Sequence, residues 1–261
     1  MTTINTEKLQ EAFTYPFKDP RWKNKFLIGG VIGLLNLLII PALFLTGYAY
    51  RIMKRVIVDQ QPLAMPEWDD WGKLFLDGLR LWGVSFIYSL PAFSVLLISL
   101  IAFLIPAIWS AENSGAETWI PVGAVIYMLG LGLSMLFALP VQIILPAAVS
   151  HMVARDRFMA AFQIKEWWPI LKANWGGFLI SAIAPFIISM ILGFAAQLLT
   201  MTIVLSCLLP FVVAGASIYN ILVAYGLYAQ AYVGAVANLE SRGLNTFPDS
   251  LPDVDLIDEN L

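Results

Sequence analysis

The chain has 261 residues, of which 59% are hydrophobic and only 13% carry a charge. A soluble domain carries about 25% charged residues, so the water-soluble fold classes are excluded and a membrane protein is expected. The formal net charge of −3 is uneven, because residues 240–261 carry six acidic groups against one basic group. This asymmetry argues against nucleic acid as a partner.

The distribution of polar residues divides the chain into three regions. Residues 1–25 form a polar, amphipathic N-terminal segment, residues 26–239 form a helical membrane domain, and residues 240–261 form an acidic, flexible tail. The first region contains eight charged side chains and lacks an apolar core, so no signal peptide is expected.

The first hydrophobic block, residues 26–50, admits two interpretations: a fifth span, or a re-entrant hairpin that enters and leaves the membrane on one side. Lys and Arg flank the block on both sides, which argues against a single crossing because basic residues collect on the cytoplasmic side. Asn36 and Pro41 lie near its centre, and two arms of about 12 residues would each reach only about 18 Å. We favour the hairpin, because that reach is less than the about 30 Å of the hydrocarbon core.

Residues 66–80 are the most patterned polar segment. Apolar residues recur there at helical spacing, forming a stripe of Trp68, Trp71, Phe75, Leu79 and Trp82. The pattern predicts a helix that begins at Pro66, lies flat in the membrane interface and keeps Asp77 on its wet face. The helix either only orients the next span or offers a partner-docking surface formed by Glu67, Trp68, Asp69, Asp70 and Trp71.

Four full spans are predicted, because four further blocks hold at least the about 20 apolar residues that one crossing needs. The blocks are residues 82–109, 119–149, 176–200 and 204–237. Two to three interfacial amphipathic helices are expected in the polar segments that precede the hydrophobic blocks, at residues 11–30, 66–83 and 160–177.

The orientation of the spans follows from the basic residues. The connections at residues 51–80 and 151–175 carry five and four Lys or Arg residues, whereas the other two connections between the spans carry none. The basic connections and the C-terminal tail are therefore predicted to face the cytoplasm.

The sequence contains no recognisable catalytic or cofactor-binding pattern. The apolar blocks contain no Asp, Glu, Lys, Arg or His, and such residues are the usual mark of ion coupling and proton relays. His151 is interpreted as an anchor at the membrane interface, and the single cysteine, Cys207, as a buried small residue. A cation held by Glu67, Asp69 and Asp70 is a minor alternative to helix-end electrostatics. We therefore expect no enzyme, no cofactor and no metal.

The polar residues within the blocks are neutral, and three amides form a candidate intramembrane polar cluster: Gln142, Asn220 and Gln230. Amides next to proline-broken helices can line a path for a neutral or lipid-like solute. They can equally form hydrogen bonds between helices, at about 0.6 kcal/mol each. We favour the second interpretation.

The residues from Pro66 to Asp70 read PEWDD, and Gly72, Leu74, Phe75 and Gly78 follow. This pattern resembles an uncharacterised bacterial and archaeal multi-pass membrane family that is known only as a domain of unknown function. Further matching positions lie before and after it: Gly47, Tyr48, Arg51, Arg55, Arg157, Ala161 and Phe162. The family signature reads LPEWDD, and Met65 stands here in place of its leucine. The resemblance covers most of residues 15–235 and implies a helical integral membrane domain, without an activity, a ligand or a catalytic residue.

These observations predict an all-α integral membrane protein of a prokaryotic inner membrane. The expected function is that of a non-catalytic accessory or scaffolding subunit that packs against other integral membrane proteins. Pairs of small residues that permit close helix contact favour this function, at Gly29/Gly33, Gly130/Gly132 and Gly226/Gly234. The alternative is a transporter or permeation component for a neutral or lipid-like solute.

Overall fold

The computed structural model describes residues 6–35, 39–112, 119–201 and 207–243, and the regular structure in these ranges is helical. The helices are α1 (Thr6–Lys18), α2 (Trp22–Leu34), α3 (Ile39–Ile57), α4 (Trp71–Glu112), α5 (Ile120–Arg155), α6 (Ile164–Ala173), α7 (Trp175–Thr200) and α8 (Leu209–Glu240). A short 3-10 helix, Phe158–Phe162, precedes α6. Asn36 and most of the predicted acidic tail, residues 244–261, lie outside the described residues.

Four of these helices are long and apolar enough to cross a membrane, namely Trp71–Ser110 within α4, and the whole of α5, α7 and α8. The prediction of a helical membrane protein with four apolar spans is confirmed. The helices extend past the apolar blocks into polar sequence, because backbone hydrogen bonding continues wherever no residue interrupts it.

The long helices pair as two antiparallel hairpins, α4 with α5 and α7 with α8. We call their outer parts the arms: residues 86–112 with 119–139, and residues 182–200 with 209–217. Large apolar side chains on the arms are exposed, as Met128 (70%) and Phe194 (68%) illustrate. Cys207, which we expected to be buried, is also exposed, because the end of an arm has few neighbouring helices to cover it.

The buried core lies at the opposite end of the hairpins, in a region that we call the junction. It is formed by α1, α3, α6, the first turns of α4 and α7 and the last turns of α5 and α8. Its largest buried side chains include Tyr15, Tyr50, Trp167, Phe178 and Tyr232, each at most 2% exposed.

Helices α3 and α4 cross backbone to backbone inside the junction. A Cβ atom on Gly47 would collide with the backbone carbonyl of Leu74, and a Cβ atom on Gly78 with the backbone carbonyl of Leu43. The Thr46 hydroxyl donates a hydrogen bond to the Gly78 carbonyl oxygen at 3.2 Å. Only residues without a side chain permit this approach, so the crossing depends on both glycines.

The first hydrophobic block is divided between α2 and α3. Gly29 packs beside Ile218 and Gly33 beside Ala214, so α2 runs antiparallel to α8. Helix α3 ends at Ile57, which lines a cavity together with the last turns of α8. The start of α2 and the end of α3 therefore lie towards the same end of the molecule.

The predicted interfacial helix at residues 66–80 is wrong in two respects. No helix begins at Pro66, and the helix that follows is not separate from the first span. Residues 66–70 are not helical, α4 begins only at Trp71, and it continues without a break to Glu112. Asp70 has a φ of 44°, which is incompatible with a right-handed helix. Its side chain instead caps α4, because Asp70 Oδ1 accepts a hydrogen bond from the Lys73 amide at 3.2 Å.

The first part of α4 also buries a different face from the predicted one. Trp71 and Leu79 from the predicted apolar stripe are 45% and 44% exposed. The buried face consists of Leu74, Asp77, Gly78 and Leu81. The glycine face is buried because it alone admits the close approach of α3, and the tryptophans are left at the surface, where a membrane interface suits them.

Candidate functional site

Residues 66–70 are fastened to α3 by one arginine. The Arg51 guanidinium donates hydrogen bonds to the carbonyl oxygens of Glu67 and Asp70, at 3.2 and 3.1 Å. The same group forms a salt bridge with the Asp69 carboxylate. The segment stays extended because its carbonyl groups bind a side chain of α3 instead of amides of a helix of its own.

Trp68 fastens the same segment to both α2 and α3. Its ring stacks on Tyr48 with 4.1 Å between the centroids, and its indole Nε1 donates to the Lys25 carbonyl oxygen at 3.0 Å. The Tyr48 hydroxyl donates to the Pro66 carbonyl oxygen at 2.8 Å. Trp68 therefore belongs to the packing of the junction, and only its neighbour Trp71 points outward.

A buried lysine, Lys25, also binds residues of this segment and the residue before it. Lys25 is 5% exposed, and its Nζ lies 2.6 Å from Asp19 Oδ2, 2.8 Å from the Met65 carbonyl oxygen and 2.7 Å from Glu67 Oε1. Burial opposes the ionisation of Asp19, but hydrogen bonds from Lys25 and from the Arg21 amide outweigh burial and lower the pKa of Asp19.

The five predicted docking residues therefore lie together, but most of their polar groups hold the fold. The Glu67 and Asp69 carboxylates form salt bridges but remain accessible, since their side chains are 46% and 71% exposed. Tyr48 and Arg51, which share the family resemblance with this motif, are groups against which it packs. The groups of this motif that a ligand can reach are charged and lie at the rim of a cavity.

This cavity, which we call the charged basin, has a volume of about 390 Å³. It is lined by Arg51, Lys54, Arg55, Asp59, Pro66, Asp69, Asp70, Lys73 and Asp77. Four basic side chains face four acidic ones, so the lining is neutral overall. Cavities of this size accommodate small ligands, and the mixture of charges suits a group that carries both signs.

Asp77 is the buried carboxylate of the charged basin, with 5% of the residue exposed. Its salt bridge to Arg80 joins Nη1 and Oδ1 at 3.9 Å, and no hydrogen-bond donor reaches its carboxylate from the part of the chain that the structure describes. A buried carboxylate normally has such donors. The sequence pattern placed Asp77 on the wet face of a helix, and the approach of α3 to Gly78 explains why it is buried instead.

A second ionic group adjoins the basin and ties three helices together. Asp156, just after α5, has a φ of 46° and accepts a hydrogen bond from the Tyr50 hydroxyl of α3 at 2.8 Å. Arg80 of α4 lies 3.3 Å from the Asp156 carboxylate, and Lys54 of α3 lies 3.6 Å from it. Lys54 and Arg80 thus stand between this group and the basin.

His151 is a buried tie between helices, not the interface anchor that we expected, since it is only 1% exposed. Its Nδ1 lies 2.9 Å from the Tyr232 hydroxyl, and its Nε2 lies 3.1 Å from Glu166 Oε2. Arg155 approaches the same carboxylate at 3.4 Å. No local pattern could have revealed these partners, because Glu166 and Tyr232 lie 15 and 81 positions away in the sequence.

The structure does not bring the three candidate amides into one cluster. Gln142 lies in a groove between α4 and α5. Asn220 donates to the Ser189 hydroxyl of α7 at 2.7 Å, and Gln230 donates to Glu11 of α1 at 3.1 Å. The three amides therefore have separate neighbourhoods, because hydrophobic blocks of similar depth need not place their polar residues on facing sides.

The carboxylates of the basin do not gather at the spacing of a metal site. Within residues 6–35, 39–112, 119–201 and 207–243, no three side chains of His, Cys, Asp or Glu lie close enough together to hold an ion. The basin therefore offers single carboxylates and single cations at separate points of its wall.

A comparison with known sequence families gives one result. A family model described as "Protein of unknown function (DUF4013)" matches residues 33–201. No curated protein and no solved structure matches the chain. The matched range contains every residue of the charged basin and both glycines of the crossing between α3 and α4.

Proposed function

The chain belongs to the DUF4013 family of proteins of unknown function, and from this premise we propose that it is a non-catalytic accessory or scaffolding subunit in a membrane. Its partners in this proposal are other integral membrane proteins, which bind along the α4–α5 arm within the lipid bilayer.

The observation that carries this proposal is the unequal burial of the four spans. In their most apolar stretches, 39% of α8 and 22% of α7 are buried, against 11% of α5 and 6% of α4. Helix α8 is covered by α1, α2, α3 and α7, whereas the α4–α5 arm packs mainly within its own hairpin. Most of that arm is therefore free to bind another helix.

One glycine indicates which face of the arm would bind a partner. Gly132 has no atom within 4 Å of the position that a Cβ would take, and Met128, Met135 and Leu139 lie on the same face and are 70%, 69% and 63% exposed. A glycine between large apolar side chains permits a close helix approach. The other predicted small faces are used internally: Gly33 packs on α8.

Photocrosslinking in native membranes tests this proposal. A benzoylphenylalanine at Met128 or Met135 should form cross-links to discrete proteins that mass spectrometry identifies. A matched probe at Trp168, which is 38% exposed on the junction, should not. The proposal is contradicted if the arm positions capture only lipid and the protein purifies alone in mild detergent.

We also infer that α2 and α3 form a re-entrant hairpin and that the basic connections and the tail face the cytoplasm of a prokaryotic inner membrane. The 13 residues of α2 give it a length of about 20 Å, which is short of the about 30 Å of the hydrocarbon core. The basic residues on both flanks, and the packing of both helices on α8, support the hairpin.

Cysteine labelling tests this topology. Cys207 is the only cysteine of the chain, and a membrane-impermeant maleimide should label it in intact cells, because its connection is outside in the proposed orientation. In a Cys207→Ser background, Lys18→Cys should react only after the cells are opened. Labelling of Lys18→Cys in intact cells would rule out the hairpin. A Cys207 that is not labelled in intact cells would indicate the opposite orientation of the spans.

The alternatives have less support. A transporter for a neutral or lipid-like solute needs a shared polar path, and Gln142, Asn220 and Gln230 have separate neighbourhoods. An enzyme that uses an imidazole has no support, because the imidazole of His151, the one histidine in the sequence, is enclosed between Tyr232 and Glu166.

A further inference from the structure

Asp77 has an unfilled hydrogen-bonding capacity at the wall of the charged basin. It is 5% exposed, it lines the basin, and its ion pair with Arg80 is long at 3.9 Å. An ionised carboxylate accepts up to four hydrogen bonds, and no group in the described residues donates one to Asp77, whose oxygens face the basin. A ligand that brings donors to Asp77 would use this capacity.

The donor that fits is a primary ammonium group. A divalent metal needs several oxygen ligands at once, and no three potential ligands lie close together in the described ranges. An ammonium group needs one carboxylate and supplies three N–H donors along with its charge. A quaternary ammonium group, such as that of choline, supplies the charge without any donor.

The lining of the basin also offers cations for an anionic group. Lys54 and Arg55 come from successive positions on α3, and Lys73 comes from the first turn of α4. Arg55 uses its Nε for the Pro62 carbonyl oxygen, which leaves the two terminal nitrogens of the guanidinium for a phosphate oxygen. The neutral lining as a whole matches a ligand whose own charges cancel.

The position of the basin agrees with the headgroup layer of a membrane. Trp71 and Trp82 lie on either side of Asp77 along α4, and both are exposed, at 45% and 36%. Exposed tryptophans lie preferentially at the level of the lipid headgroups. A headgroup could therefore reach the basin without leaving its own layer.

We propose that the charged basin binds a phosphoethanolamine group, with its ammonium on Asp77 and its phosphate beside Lys54 and Arg55. The group can be the headgroup of phosphatidylethanolamine or the free zwitterion. This site is independent of partner binding along the α4–α5 arm, because the basin lies in the junction.

Lipid retention measures the binding. The protein is exchanged into micelles that contain equal amounts of dioleoylphosphatidylethanolamine and dioleoylphosphatidylcholine, and native mass spectrometry counts the lipids that stay bound. The wild type should retain the ethanolamine lipid in about tenfold excess, the size expected of hydrogen bonds to a charged group. Asp77→Asn should bring the ratio close to one, and Glu7→Gln on the exposed face of α1 should leave it unchanged.

A second variant keeps the test decisive if Asp77→Asn fails to fold. Lys54→Gln should weaken the retention of both lipids by a similar factor, because both carry the phosphate. Equal retention of the two lipids by the wild type overturns the proposal. An undiminished preference in a folded Asp77→Asn variant overturns it as well.

Free phosphoethanolamine distinguishes the two sources. If it displaces the bound ethanolamine lipid at millimolar concentration, the headgroup alone is recognised and the free zwitterion is a ligand. If the lipid stays bound and keeps its preference over the choline lipid, the acyl chains contribute and the lipid is the ligand. Release of the lipid by phosphocholine at the same concentration would contradict the role of Asp77.

Discussion

Leu81 and Ile98 lie on one helix, α4, yet Leu81 is fully buried in the junction and Ile98 is 67% exposed on an arm. The two residues have similar side chains, so their own hydrophobicity does not explain the difference. Where water and lipid headgroups surround a membrane protein, apolar groups must be covered by other helices, which agrees with the burial in the junction. Where lipid tails surround a helix, little is gained by covering it, which agrees with the exposure on the arms.

The polar groups of the two regions differ in the same way. Hydroxyls on the arms bond mainly within their own helix, as Ser134 does to the Leu131 carbonyl oxygen at 2.8 Å. Hydroxyls in the junction bond between helices, as Tyr15 of α1 does to the Leu222 carbonyl oxygen of α8 at 2.9 Å. The junction therefore holds the tertiary structure together, and substitutions there should cost more than similar ones on the arms.

The largest difference is expected between two adjacent tryptophans. Trp167 is 1% exposed and donates from Nε1 to the Ala161 carbonyl oxygen at 2.9 Å, so Trp167→Ala should cost about 4 kcal/mol. Trp168→Ala should cost far less, because Trp168 is 38% exposed. Unfolding in mixed micelles measures both. Equal costs would contradict the assignment of the core to the junction.

Two glycines give the next contrast. Gly47→Ala should lower the free energy of unfolding by about 2 to 3 kcal/mol, because its methyl group meets the backbone of α4 and forces the helices apart. Gly132→Ala should have almost no effect, since no atom lies within 4 Å of the added carbon. The same unfolding assay compares them, and similar losses at both positions would show that the crossing is not a special contact.

Lys25→Met should cost about 2 kcal/mol, because the Met65 carbonyl and two carboxylates lose a charged donor. The pKa of Asp19 is lower in the folded protein than its ordinary value of 3.8, so its contribution is complete above that value and is lost as the pH falls below it. The wild type should lose stability in acid through this pair, whereas Lys25→Met should lack that part of the loss. A pH series of thermal unfolding separates the two curves, and parallel curves would contradict the pairing.

The smallest effect is expected on the α7–α8 arm. Ser189→Ala removes the acceptor of the 2.7 Å hydrogen bond from Asn220 and should cost about 0.6 kcal/mol. A loss of stability as large as that of Lys25→Met would mean that the arms, like the junction, depend on hydrogen bonds between helices. Thermal unfolding with Ser217→Ala as the control measures the difference, because the Ser217 hydroxyl bonds only to the Val213 carbonyl oxygen of its own helix.

The membrane character and the four spans could be predicted because both depend on composition and on the length of apolar blocks. The face that α4 buries could not, since it depends on the fit of Gly78 to Leu43, which lies in a different helix. Asp77 was therefore predicted at the surface and found in the wall of the basin. The docking role of residues 67–71 was drawn from their exposure in a pattern, but Arg51 binds the Glu67 and Asp70 carbonyls and the Asp69 carboxylate, and Lys25 binds the Glu67 carboxylate.

The uninterrupted course of α4 has a mechanical consequence. From Asp77 to Glu112 the helix measures about 50 Å, and its closest contact with α3 is the crossing at Gly47 and Gly78. A tilt of about 10° about that crossing would move the far end by about 9 Å. Asp77 is next to Gly78, so the basin adjoins the point about which α4 would tilt. Labels at Cys207 and at Trp109→Cys would report such a tilt as a change of the distance between them.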